Sequence, residues 1–295
     1  MQRLAGKDIF PQVQAKLAEE VARLSESGIS VTLAVILVGE DPASQIYVAS
    51  KERTCGELGI GSLVTRLPSE TTQAELLELV QQYNEDPQIN GILVQVPLPA
   101  PLDEDEVLQA ISPDKDVDCF HPYNLGLLTA GLARFVPCTP FGVLQFLKHH
   151  QIPTSGKKIV ILGRSNIFGR PMSILLSQKP WDATVTLCHS RTQNLAEECR
   201  QADILIAAIG KPMLVTKDFI KPGAVVIDVG INRIADPNHP KGSRVVGDVD
   251  YEGIASVASA ATPVPGGVGI STIAMLMYNV VNAARFANGL EAFEL

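Results

Sequence analysis

No apolar run in the chain reaches the length of a membrane span, and the first six residues lack the apolar core of a signal peptide, so a cytoplasmic location is expected. Positive charge is scarce. Lys plus Arg number 24 against 32 Asp plus Glu, and the resulting formal charge of −8 argues against nucleic-acid and membrane partners, although a local electropositive pocket remains compatible with it. There is no C-x-x-C pair: Cys55, Cys119, Cys138, Cys188 and Cys199 are odd in number and scattered. They suit reduced packing thiols rather than a disulfide or zinc framework, and no metal is expected. Low-complexity segments and short-period repeats are also missing.

What is present is a globular composition. With 295 residues and 46% apolar content, the chain is too long for one small core and suffices for two. The first half alternates helical and strand patterns: helical spacing over 8–27, an apolar strand over 31–38 stopping at Gly39, and a helix from Pro42. A strand over 61–67, a helix over 73–84 and a strand over 91–96, stopped by Pro97, follow. On the helix after Asp41-Pro42, Tyr47 and Lys51 are four apart and share a face. Read alone, the pair fits a surface aromatic lying beside a lysine stem, or a lysine whose proton affinity burial brings toward neutrality for acid–base work. Gln95 interrupts an apolar strand, and a buried amide needs partners; backbone or Lys51 would serve. Asp118 closes a carboxylate-rich stretch, where solvated or capping roles compete with reception of paired N–H donors from a heterocycle such as a pterin.

The dinucleotide fingerprint G-x-G-x-x-G is also missing. In its place the apolar strand over 159–162 meets Gly163-Arg164-Ser165, and Gly169-Arg170-Pro171 opens a helix. An ordinary strand-to-helix turn looks the same, but Gly163 permits close backbone approach and a helix start attracts the anionic pyrophosphate. The next strand, 184–188, ends at His189-Ser190-Arg191 with no acid to receive ribose hydroxyls. Arg164, Ser190 and Arg191 instead suit a 2′-phosphate, favouring NADP over NAD. Apolar strands over 203–210 and 224–230 complete a doubly wound parallel sheet, with Gly210 and Gly230 at the rim where a nucleotide lies. The segment 262–269 is too rich in Gly and Pro for regular structure. Pro265, Gly266 and Gly267 give it a shape open to a ligand's close approach before the apolar helix over 270–286.

Taken in order, Tyr47-Val48-x-x-Lys51, Val94-Gln95-x-Pro97-Leu98-Pro99, Lys115-Asp116-Val117-Asp118, Pro137-Cys138-Thr139-Pro140, Gly163-Arg164-Ser165, Asp228-Val229-Gly230-Ile231-Asn232, Val246-Gly247-Asp248-Val249 and the 262–269 loop resemble the signatures of the bifunctional methylenetetrahydrofolate dehydrogenase/cyclohydrolase family along essentially the whole chain. A Tyr-x-x-x-Lys pair also resembles short-chain dehydrogenases, but there the nucleotide loop precedes the pair, and here it follows.

The resemblance implies two α/β domains flanking a cleft: a folate-binding catalytic domain over 1–139 joined by a C-terminal helix over 271–295, and a Rossmann-like NADP domain over 140–270. It implies NADP-dependent oxidation of 5,10-methylenetetrahydrofolate and hydrolysis of the methenyl product to 10-formyltetrahydrofolate, within one-carbon metabolism and purine biosynthesis, by a homodimer. By analogy Lys51 is the main proton-transfer residue, Tyr47 contacts the folate, Gln95 tunes Lys51, Asp118 anchors the pterin, and Pro265, Gly266 and Gly267 line the substrate. Gly163, Arg164, Ser165, Ser190, Arg191, Gly210 and Ile231 are expected to hold NADP. Two departures bear on the folate site: Cys119 stands where the family commonly has glycine, a concern if that turn needs a positive φ, and Ile270-Ser271-Thr272 stands where it commonly has Pro-Met-Thr. Loss of the hydrolase activity, or a non-catalytic folate/NADP sensor, are the alternatives these departures leave.

Overall fold

Strand β1 (Gln2–Arg3) pairs in parallel not with the next strand but with residues 260–261, near the far end of the chain, and Gly6 N donates to Gly266 O at 2.9 Å. The computed structural model describes residues 1–237 and 242–295. Within it the chain divides into two compact units, one of Pro11–Cys138 with Ile273–Leu295, the other of Met1–Phe10 with Thr139–Thr272. The first ten residues, assigned from sequence to the catalytic domain, therefore belong with the second unit. The β1 pairing is the reason.

The three-stranded unit follows α1 (Phe10–Glu26) with β2 (Thr32–Val38), α2 (Pro42–Leu58), β3 (Gly61–Leu67), α3 (Gln73–Glu85), β4 (Gly91–Val94), α4 (Glu104–Ala110) and α5 (Pro122–Thr129). Its sheet has the order β3-β2-β4, all parallel. The continuous apolar run of β2 makes it the buried centre, as expected of a strand covered on both faces. Asp41 caps α2 by accepting from Ser44 N at 2.7 Å, Pro42 sits in its first turn, and Gly59 at φ 75° ends it. Strand β4 stops at Val94, two residues earlier than the apolar run suggests, yet Gln95 N still donates to Ile36 O at 2.9 Å. Its side chain therefore leaves the sheet at the C-terminal end of β4, next to the central strand.

The other unit contains most of α6 (Cys138–His149), then β5 (Lys158–Leu162), α7 (Gly169–Ser177), β6 (Thr184–Cys188), α8 (Leu195–Cys199), β7 (Ile204–Ala207), β8 (Val225–Asp228), the antiparallel pair β9 (Asn232–Ala235) and β10 (Ser243–Val246), and β11 (Ala260–Ala261). Its sheet, in the order β1-β11-β8-β7-β5-β6, is parallel throughout. Val160, Leu162, Leu205, Ala207 and Val226 are among the buried residues of its core. The chain leaves β5 for β6 on one side and returns to β7 on the other, so the order reverses between β5 and β7, where a doubly wound sheet binds nucleotides. Helix α9 (Gly269–Ala287) begins in this unit and continues, from Ile273, in the three-stranded one. Among the described residues no helix is long and apolar enough to cross a membrane.

Candidate active site

In the three-stranded unit, α2 and the end of β4 bring Lys51 and Gln95 together. Lys51 Nζ donates to Gln95 Oε1 at 3.0 Å, and Gln95 Nε2 donates to Val96 O at 2.9 Å, which fixes the amide so that its oxygen faces the lysine. Both side chains are half-buried. Burial pushes the Lys51 ammonium below the ordinary lysine value, and the carboxylate of Asp118 opposes that shift. Asp118 mirrors it: burial raises its carboxyl above the usual range while Lys51 draws it back. Tyr47 lies one turn before Lys51 on the same face of α2, 40% exposed. The structure thus brings Lys51, Gln95 and Asp118 into one electrostatic cluster, with Tyr47 beside it on the helix.

The Lys115-Asp116-Val117-Asp118 stretch separates into scaffold and site. Lys115 Nζ donates to Tyr83 O and Asp86 O at 2.9 and 2.6 Å, closing the C-terminal end of α3. Asp116, 2% exposed, accepts from Phe120 N, His121 N and Asn124 Nδ2 at 3.1, 2.9 and 2.8 Å and so holds the turn that follows. Ile92 N donates to Lys115 O at 2.8 Å, laying the stretch along the edge of β4. Among the described residues Asp118 is left with a single neighbour close enough to donate, the Cys138 thiol at 3.6 Å. At Cys119 the backbone does adopt a positive φ, 61°, where glycine costs least; the side chain is accommodated by full burial, with its thiol 3.4 Å from Phe135 O. The second departure is also absorbed: buried Ser271 donates to Val268 O at 2.6 Å and fills the space over Gly142, whose hydrogen faces the Ser271 hydroxyl.

In the six-stranded unit, Gly163 ends β5 at φ 137°, and a Cβ there would collide with the Ala208 carbonyl that follows β7. The turn therefore closes on the β5/β7 reversal point, and Phe168 N donating to Ser165 Oγ at 3.2 Å leads it into α7. Arg164, Ser165, Ser190 and Arg191 are exposed around the ends of β5 and β6. Among the described residues neither guanidinium has a hydrogen-bond or ion-pair partner, and the residues that close β6 include no carboxylate. This donor set fits a dinucleotide with an additional phosphate. Gly210 follows β7, with its N–H on Asp248 Oδ2 at 2.9 Å, and Ile231 is half-exposed with its side chain over Gly269. Pro265, Gly266 and Gly267 form the loop before α9; a Cβ on Gly267 would stand 2.5 Å from Pro263 O.

Three further buried polar groups stand out in the structure. Asp228 and Asp248 are buried (3% and 0% exposed) and tie the ends of β7, β8 and β10 together, Asp228 by accepting from Gly230, Asp248 and Val249 N–H groups, Asp248 from Ile209 and Gly210. Asn279 lies buried in α9, a polar residue inside an apolar helix, which was the available signal.

A lysine–carboxylate–amide cluster in one parallel α/β unit and a glycine-shaped reversal point in the other define a nucleotide-dependent enzyme of the two-unit α/β class. Residues 4–118 match the family model described as tetrahydrofolate dehydrogenase/cyclohydrolase, catalytic domain, and residues 137–288 match that family's NAD(P)-binding domain. The chain is 56% identical over 284 residues to the bifunctional protein FolD of Moorella thermoacetica, covering 96% of this chain and 99% of that protein. Among solved structures it is similar to the Campylobacter jejuni bifunctional enzyme FolD, methylenetetrahydrofolate dehydrogenase/cyclohydrolase (TM-score 0.92, 47% identity, 97% of this chain and 99% of that one). It is also similar to the Trypanosoma brucei enzyme in complex with NADP cofactor and inhibitor (TM-score 0.91, 38% identity, 96% and 97%). The chain belongs to the tetrahydrofolate dehydrogenase/cyclohydrolase family.

Proposed function

We propose that this protein oxidises 5,10-methylenetetrahydrofolate to the methenyl form with NADP and hydrolyses that product to 10-formyltetrahydrofolate. The observation that carries the reading is the Lys51–Gln95 contact of 3.0 Å beside Asp118, in a chain similar to a solved Campylobacter jejuni enzyme whose name bears both activities. Bound NADP supplies the hydride acceptor. Gly163, Arg164, Ser165, Ser190, Arg191, Gly210 and Ile231 hold it, with the two arginines meeting phosphate.

Asp118 accepts N–H donors from the pterin, and Tyr47 packs against the folate. When water adds to the electron-poor one-carbon bridge, a proton acceptor must stand nearby. A lysine whose ammonium is destabilised by burial has a larger neutral fraction for that task. Gln95 Oε1, held in place because the Nε2 of the same amide donates to Val96 O, orients the Lys51 nitrogen. The same reading makes the protein a cytoplasmic homodimer acting on folates rather than on nucleic acid or membranes, in keeping with a net charge of −8.

The test is a paired assay of the purified protein: reduction of NADP with methylenetetrahydrofolate, then decay of methenyltetrahydrofolate absorbance. Both reactions are expected. Dehydrogenation without hydrolysis would reduce the protein to one activity, and binding without turnover would contradict the proposal.

A further inference from the structure

We propose that Asn279 is a positioning residue for Asp118, acting through the Val117 carbonyl and the Cys138 thiol. The inference rests on the reading of Asp118 as the pterin anchor. Asn279 is fully buried on α9 among Leu276, Met277, Val280 and Val281. Its Nδ2 donates to Val117 O at 2.7 Å and Val136 O at 2.9 Å, and lies 3.7 Å from Cys138 Sγ. These partners sit on the two segments that flank Asp118. Val117 O belongs to the peptide that carries the Asp118 nitrogen, and Cys138 Sγ stands 3.5 Å from Val117 O and 3.6 Å from Asp118 Oδ1. One amide therefore sets both the backbone before Asp118 and the donor to its carboxylate.

Asn279 Oδ1 is buried without a hydrogen-bond partner among the described residues. A buried amide with an unpaired oxygen is a net cost, so what it gives the protein lies in its two donated bonds. Satisfying two carbonyls is a structural role that would act whether or not residue 118 is a carboxylate. Positioning Asp118 is not, and this difference is measurable. The other charged groups facing Asp118, Lys51 on α2 and Asp116 on its own stretch, are untouched by a change at residue 279.

The experiment is a double-mutant cycle of Asn279→Leu and Asp118→Asn in the full chain, read by KM and kcat for methylenetetrahydrofolate and by NADP dissociation constant. Asn279→Leu is expected to raise KM about tenfold, the usual scale for losing a buried hydrogen-bonded anchor, with kcat and NADP binding within about twofold. In the Asp118→Asn background the same change should move KM by less than about twofold. Cys138→Ala should behave as Asn279→Leu does, with Cys138→Ser restoring the donor and most of the affinity. That pair decides the matter if Asn279→Leu does not fold. If Asp118→Asn alone leaves KM unchanged, the anchor reading fails and takes this inference with it. If Asp118→Asn raises KM but the change at residue 279, or Cys138→Ala in its place, raises KM equally in both backgrounds, the inference alone is overturned.

Discussion

Lys51 donates a 3.0 Å hydrogen bond to Gln95, 44 positions away in sequence, and the Gln95 amide is itself held by Val96 O. A buried amine bonded to a neutral amide keeps its nitrogen in place in either protonation state. That is a useful property for a group that must accept a proton and later release it.

Gln95→Leu removes the orienting acceptor without adding charge. Hydrolysis of the methenyl substrate is expected to slow about 10- to 100-fold, with NADP affinity unchanged, as single-turnover rates and cofactor titration would show. A hydrolysis rate equal to wild type would mean that Gln95 is only a strand-end residue.

The Asp118 carboxylate stabilises the charged form of Lys51. In Asp118→Asn that support is lost, so the Lys51 value falls further and the pH at which hydrolysis rises moves downward. The check is the pH–rate profile at saturating substrate. A limb that stays in place or moves to higher pH contradicts the coupling.

Replacing Gly163 by alanine sets a methyl group against the Ala208 carbonyl at the β5/β7 reversal point. NADP affinity is expected to drop by at least about tenfold while the isolated hydrolysis of added methenyltetrahydrofolate persists. Arg191→Ala should instead weaken NADP about tenfold and leave NAD nearly unaffected, because only NADP carries the extra phosphate. Equal losses for both cofactors would remove Arg191 from phosphate recognition.

Burial pushes the Asp228 carboxyl from 3.8 up to about 7, against the pull of three backbone N–H donors and with Asp248 adding to the rise. A carboxyl raised in the folded state contributes stability that is complete below pH 3.8 and lost as pH climbs through about 7. Asp228→Asn abolishes that titration. Denaturation free energies measured across this range should therefore decline less steeply for the variant than for wild type, and parallel slopes would contradict the assignment.

Much of this architecture was legible because parallel strands covered on both faces read as apolar runs. Those ending at Val38 and Leu162 are found where the runs stop. Shorter elements left no such trace. β1 and β11 have only two residues each, and β9 alternates half-buried and exposed side chains on a stretch too short to show a period. In the site, Lys51 was visible through its four-residue spacing from Tyr47, and Gln95 as a polar break in an apolar strand. The bond from Asn279 to Val117 spans 162 positions, and no local pattern announces a partner that far away. Cys119 was readable as a departure, but only the fold shows that its positive φ is accommodated by burial rather than avoided.

The central claim is that Lys51 performs the proton transfer of hydrolysis, and Lys51→Met tests it most directly. The variant keeps an apolar stem of similar length and loses the amine. We predict that it loses methenyltetrahydrofolate hydrolysis by at least about 100-fold while binding NADP with wild-type affinity. Hydrolysis at the wild-type rate in a folded, NADP-binding Lys51→Met protein would contradict the account.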